Sequence, residues 1–317
     1  MTVLTPRAAA GRDAAAATPP RSPRRPKRRY DRAAYLFMTP WFIGFAVITV
    51  GPLLASLVLS FTNFNLLQAP NFIGFANYTT MFTLDPRFWQ SFGVTIAYVV
   101  VTVPLQLAFA LLIAVALSRK IRGTSWYRSI YYLPSLLGGS VAIAVVWGQI
   151  FNKKGIANGI LSLFGIHGPS WTGDPSTALA TLILLNVWQF GAPMVIFLAG
   201  IKQIPGELYD AASVDGAGAW NRFRFVTLPM LTPIIFFNLV LQIIRAFQAF
   251  TPAYIISGGT GGPSDSTLFY TLYLYQQAFT NLHMGYASAM AWVLLVVIAV
   301  FTAGNFLLSR FWVTYEN

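Results

Sequence analysis

After residue 32 the chain runs through long stretches without a charged side chain: 33–84, 88–118, 129–152, 175–201, 225–244, 246–264 and 266–309. A helix that crosses a bilayer needs about 20 largely apolar residues. Trimmed to their apolar parts, these stretches predict six membrane-spanning helices at 34–60, 92–118, 129–151, 177–201, 230–251 and 286–309. Gly191 and Pro193 should interrupt the fourth, and broken helices often line pathways. Between the spans, 152–176 carries turn signals such as Gly168-Pro169 and Gly173-Asp174-Pro175. A second connection, 252–285, carries Ser257-Gly258-Gly259-Thr260-Gly261-Gly262-Pro263. The Ala/Pro/Arg-rich residues 1–32 lack the apolar content for a core and are expected to be disordered. The predicted fold is all-α, with one polytopic six-helix unit over 33–317 behind a basic tail.

Composition agrees. Charged residues make up 9% of the 317, against roughly 25% in soluble domains. Eleven of the charged residues lie in the first 32 positions, so the remaining 285 residues share only 19. The net charge of +12 does not point to nucleic acid. Nine of the 21 Lys/Arg sit in the tail, and no basic patch is interleaved with aromatics. The tail, ending in Arg24-Arg25-Pro26-Lys27-Arg28-Arg29, reads as a topology anchor. A cytoplasmic N-terminus puts the nine basic residues of the tail, four of about 119–128, three of 202–229 and one of the C-terminal segment inside. Only Arg87, Lys153 and Lys154 then fall outside, which predicts that both termini are cytoplasmic.

The same inventory removes several function classes. Cysteine is absent, and the two histidines, His167 and His283, fall in different loops. No catalytic set, metal site or resident cofactor is expected. An ion-coupled secondary transporter or channel is the alternative reading, but it needs membrane carboxylates or histidines to carry the ion. All nine Asp/Glu fall outside the six spans.

Residues 202–229 are too polar to span and too apolar for a plain linker. Pro205 suits a first helical turn, which leaves Glu207 and Asp210 near the positive end of the helix dipole. Leu208, Ala211 and Ala212 share a face at the i, i+3, i+4 spacing. Gly216 stands where a left-handed C-terminal cap is expected. A second helix carries Trp220 and Phe223 together, and Leu228-Pro229 closes it and starts the fifth span. Two short helices meeting at a glycine turn form either a docking knob or an amphipathic loop lying on the membrane surface.

The string Asp210-Ala211-Ala212-Ser213-Val214-Asp215-Gly216-Ala217, followed by Val226-Thr227-Leu228-Pro229, resembles the EAA loop of ABC importer permeases. It is most similar to the carbohydrate-uptake, maltose-type sugar permease branch. Asp210 replaces the family's Glu and Val226 its Ile. Tyr132-Leu133-Pro134, the glycine turn at 257–263 and Gly285-Tyr286-Ala287-Ser288-Ala289-Met290-Ala291 resemble the same family, so the likeness covers roughly 34–317. The resemblance implies a non-enzymatic permease subunit of a bacterial cell (inner) membrane. It implies a second permease subunit as heterodimer partner, cytoplasmic ATPase subunits, and an extracellular solute-binding protein that delivers a sugar. Asp210, Ala211, Ala212, Asp215, Gly216, Leu228 and Pro229 are its implied ATPase-coupling residues. ATP would sit on the partner subunits, since this chain has no GxxxxGK[ST] loop and no Gly-Lys dipeptide.

Polar groups inside a membrane are costly and often functional. In the fifth span, Asn238, Gln242 and Arg245 share one helical face, and Gln248 extends the stripe. In the fourth, Asn186 and Gln189 lie three apart beside Trp188. These six are the candidate substrate-pathway residues. Amides and arginine suit sugar hydroxyls, with Phe247, Phe250 and Tyr254 available to stack on a ring. The same groups also serve as interhelical hydrogen bonds. Asn77-Tyr78-Thr79 has the glycosylation spacing.

Overall fold

The computed structural model describes residues 27–119 and 123–314. The tail before residue 27, expected to be disordered, lies outside the described residues. Helix α1 (Lys27–Phe45) begins inside the stretch read as tail and passes through a π-helical turn (Ala46–Val50) into α2 (Gly51–Leu59). The run Tyr35–Leu59 is long and apolar enough to cross a membrane.

The following chain folds as α3 (Ala76–Thr83), α4 (Pro86–Ser118), α5 (Thr124–Leu137), α6 (Val141–Ile150) and α7 (Ile156–Leu163). It continues with α8 (Pro175–Trp188), α9 (Gly191–Gln203), α10 (Gly206–Val214), α11 (Ala219–Arg222) and α12 (Leu228–Phe247). Helices α13 (Thr251–Ile256), α14 (Tyr270–Tyr275) and α15 (Met284–Trp312) complete it. No strand occurs among the described residues, only an isolated bridge between Thr62 and Phe72.

Among the described residues four helical runs can each span a membrane, and two bent pairs bring the number to six if each pair crosses once. The bend of 41° between α8 and α9 falls at Gly191, as expected from the sequence. The third predicted span, 129–151, is corrected: its two halves, Trp126–Leu137 and Val141–Ile150, meet at 100°. Gly138-Gly139-Ser140 occupies the corner. The Ser140 hydroxyl accepts the Ile143 N–H at 3.3 Å, which caps a fresh helix start there. The second span starts at Pro86 rather than 92, because Asp85 caps it and Pro86 fits the first turn. The fifth ends at Phe247 rather than 251. Asp174 caps α8, and the Ser176 hydroxyl and N–H hold its carboxyl below the usual carboxylate range.

Helix α4 is the central post. Its buried residues recur every three or four positions through Tyr98, Thr102, Gln106, Ala110, Ala114 and Leu117. It packs on α8, α9, α12 and α14, and α12 packs on α15. The alanines let neighbouring helices approach closely, as membrane bundles require.

A polar hub pins the start of α4. One Asp85 oxygen accepts the N–H groups of Arg87 and Phe88 at 3.0 and 3.1 Å. The other accepts the hydroxyls of Tyr273 at 2.7 Å and Tyr286 at 2.6 Å. Gln277 donates to the Tyr273 hydroxyl, and Arg87 makes a two-point ion pair with Asp265 at 3.0 and 2.8 Å. One carboxylate thus ties α4 to α14 and α15. The Asn77 amide donates to the carbonyls of Ser60 and Thr62, so the residue of the glycosylation pattern is already committed inside the fold.

Candidate functional site

The break between α8 and α9 frees backbone groups that a continuous helix would satisfy. Gln106 of α4 donates to the carbonyl oxygens of Asn186 at 3.0 Å and Gln189 at 3.3 Å. The Ser135 hydroxyl of α5 donates to the Gln189 carbonyl at 3.1 Å and accepts the Ala192 N–H at 2.9 Å. Gly191 lies directly against the Tyr131 carbonyl and the Tyr132 backbone, where a Cβ has no room. The bend is therefore built in by two neighbouring helices, α4 and α5.

Beside it lies a cavity of about 260 Å³. Asn186 and Gln189 line it from the break, Gln242 and Arg245 from α12, and Gln106 from α4. Phe250, Thr251 and Pro252 form the wall beyond the end of α12. Gln242 is 7% exposed, whereas Arg245 is open at the surface of the chain. The cavity is one concave site carrying four amides, a guanidinium and two aromatic rings, Tyr98 and Phe250. It offers directed donors and acceptors to a neutral polyhydroxylated molecule and no carboxylate for a cation.

The six pathway candidates divide. Asn186, Gln189, Gln242 and Arg245 meet at this cavity. Asn238 lies outside its walls, buried, with its amide donating to the Ile234 carbonyl at 3.1 Å. Gln248 is past the helix end and exposed. Phe247 is 1% exposed and packed on Phe301, so it has no face for a ligand; Phe250 stacks on Tyr254 at 5.3 Å. Gln106 and Ser135 are additional site residues that the hydropathy pattern did not single out. Replacing Gln106 with leucine should take one donor from each carbonyl, leaving the Asn186 carbonyl with the Gln189 N–H and the Gln189 carbonyl with the Ser135 hydroxyl, and cost about 1 kcal/mol. A lower thermal midpoint of the detergent-solubilised protein is the expected result, and an unchanged midpoint would count against this role.

The second candidate region is 205–229. Pro205 precedes α10 as its N-cap rather than sitting in the first turn, and Glu207 occupies that turn. Asp210 and Ala211 are exposed, Ala212 half-buried. Gly216 has φ +78°. Its N–H donates to the Ser213 carbonyl at 3.1 Å, and the Ala217 N–H to the Ala212 carbonyl at 2.8 Å. These paired bonds form a Schellman turn, the predicted left-handed cap. Asp215 is the residue before it. The Trp220 and Phe223 rings lie 5.6 Å apart, as the spacing suggested. The second short helix does not close at Leu228-Pro229: it continues through a π-helical turn (Phe223–Thr227) straight into α12. Tyr209 of α10 meets Thr227 in that turn, hydroxyl to hydroxyl, at 3.0 Å.

A family model described as "Binding-protein-dependent transport system inner membrane component" matches residues 87–312. The chain is 54% identical over 291 residues to the probable ABC transporter permease protein YesP of Bacillus subtilis (strain 168), covering 92% of this chain and 94% of that protein. It is 33% identical over 290 residues to the lactose transport system permease protein LacF of Rhizobium radiobacter, covering 90% and 96%. Among solved structures it is similar in fold to a chain of a bacterial alginate ABC transporter crystallised with an alginate pentasaccharide-bound periplasmic protein. There the TM-score is 0.77 at 21% identity, over 89% of this chain and 95% of the other.

Proposed function

This chain belongs to the binding-protein-dependent transport system inner membrane component family, and on that premise we propose that it is the multi-pass permease subunit of an ATP-driven sugar importer. A solute-binding protein delivers the sugar from outside. A second, non-identical permease completes the pathway, and ATPase subunits dock on α10–α11 from the cytoplasm. Asp210, Ala211, Ala212, Asp215, Gly216, Leu228 and Pro229 form the coupling surface. ATP stays on the ATPase subunits, and this chain contributes motion rather than chemistry. Both termini are cytoplasmic, following the distribution of basic residues. Residues 33–317 act as the permease unit, with 1–32 as its basic tail.

The observation that carries the sugar reading is the cavity with Gln106, Asn186, Gln189, Gln242, Arg245 and Phe250 in its wall. The relatives' names, lactose transport among them, agree with it. Asn238, in the middle of α12, and Gln248, just past its end, belong to the same stripe outside the cavity wall. The deciding experiment is uptake of labelled sugar by proteoliposomes holding this chain, its second permease, the ATPase subunits and the binding protein. ATP-dependent uptake is expected, and uptake by this chain alone under a proton gradient would overturn the reading. Arg245→Leu and Gln242→Leu should each lower uptake about 5- to 160-fold, since an unmatched sugar hydroxyl costs about 1–3 kcal/mol. Co-purification of the ATPase subunits should be unaffected. Wild-type uptake by both variants would remove these residues from the pathway.

A further inference from the structure

Two clefts meet where α4, α9, α10 and α11 converge. The first, of about 560 Å³, is lined by Arg119, Lys202 and Arg222 together with Tyr209 and Thr227. The second, of about 470 Å³, is apolar, with Leu111, Leu112, Trp220 and Phe223 in its wall. Val115, Arg119, Ala219 and Phe223 border both, so the two are lobes of one groove. No carboxylate stands among the described lining residues, and the ion pair among the described residues, Arg87–Asp265, involves none of the three cations. Trp220 is 68% exposed, an aromatic left open beside a cluster of positive charge. Cations at the end of a spanning helix, continuous with an apolar channel along it, complement a phosphate joined to an acyl chain.

We propose that this groove binds an anionic phospholipid. Arg119, Lys202 and Arg222 hold its phosphate, and its acyl chain lies along α4 against Leu112, Trp220 and Phe223. The occupant is a lipid rather than a free phosphate, because the apolar lobe adjoins the basic one and only an amphiphile fills both. It sits between α4 and the α10–α11 loop, and so bears on the position of that loop. The placement rests on the proposed location of α10–α11 on the cytoplasmic side, beside the end of α4.

The test uses the purified transporter complex in nanodiscs, with acyl-brominated phosphatidylglycerol or phosphatidylcholine as quencher of tryptophan fluorescence. The signal of this site is the difference between the wild type and Trp220→Phe. Half-maximal quenching should need at least 5-fold less phosphatidylglycerol than phosphatidylcholine. The preference should vanish in Arg119→Gln/Arg222→Gln and persist in Lys153→Gln. Equal quenching by the two lipids overturns the proposal, as does relief of quenching by millimolar inorganic phosphate. A Trp220 signal that appears only when the ATPase subunits are removed makes the groove a protein contact and also overturns it. ATP-dependent uptake on the same preparation separates the two readings. Intact uptake without lipid preference sinks only the lipid site, while lipid preference without ATP-dependent uptake sinks only the importer reading.

Discussion

Replacing Gly216 with valine is expected to lower ATP-dependent uptake about 5- to 30-fold while leaving the protein folded in the membrane. At φ +78° the residue sits where an L side chain is strained. The left-handed conformation costs about 1–2 kcal/mol, with β-branched residues the worst placed. A Cβ there would meet nothing within 4 Å, so the cost is conformational and confined to the turn. The Schellman bonds from Gly216 and Ala217 close the C-terminal end of α10 where the chain turns toward α11, and they loosen with it. The substitution depopulates the native turn about 5- to 30-fold at 1–2 kcal/mol. Gly206→Ala is the matched control, since its Cβ also enters open space but its φ is ordinary. Uptake and co-purification of the ATPase subunits should fall together in Gly216→Val and persist in Gly206→Ala. Normal values for both in Gly216→Val would end the coupling role.

The largest stability loss is expected from Asp85→Ala. The change removes the α4 N-cap, worth about 0.5–2 kcal/mol. It also leaves two tyrosine hydroxyls without their acceptor, each costing about 1–3 kcal/mol where buried. Burial, then the Asp85 carboxylate, push the Tyr273 phenol up, so it stays a donor throughout the physiological range. Asp85→Ala should therefore destabilise by about 2.5–8 kcal/mol in all, read as a shortened half-life in detergent at fixed temperature. Asp85→Asn keeps one oxygen for the cap and should lose less than half of that. A half-life equal to wild type in Asp85→Ala would show that the hub is not what fixes α4 to α14 and α15.

Much of this was written in the sequence as punctuation. Charge-free runs marked the spans, Gly191 marked the bend in the fourth, and Gly216 marked the cap. The 100° corner at Gly138-Gly139-Ser140 was not legible through hydropathy, which stays high on both sides of a turn. Its glycine pair and capping serine were the available signal. Arg87 broke the charge-free run and hid the true start of α4, although Asp85-Pro86 carries a capping signature. Gln106 was invisible for a different reason. Its partners are carbonyls some 80 residues away that become acceptors only once α8 and α9 part. Asn238, Gln242 and Arg245 do share a face, but a face is longer than a cavity, and Asn238 spends its amide on its own helix.

The junction at Phe223–Thr227 has a mechanical corollary. Because α11 flows through that π-helical turn into α12, residues 219–247 form one unbroken rod. At 1.5 Å per residue such a rod is roughly 43 Å long, so tilting its base by about 5° swings the far end by roughly 4 Å. The Tyr209–Thr227 contact grips the rod about a third of the way along, like a hand near the pivot of an oar. Arg245 rides near the blade, so small strokes at the loop reach the cavity wall amplified rather than damped.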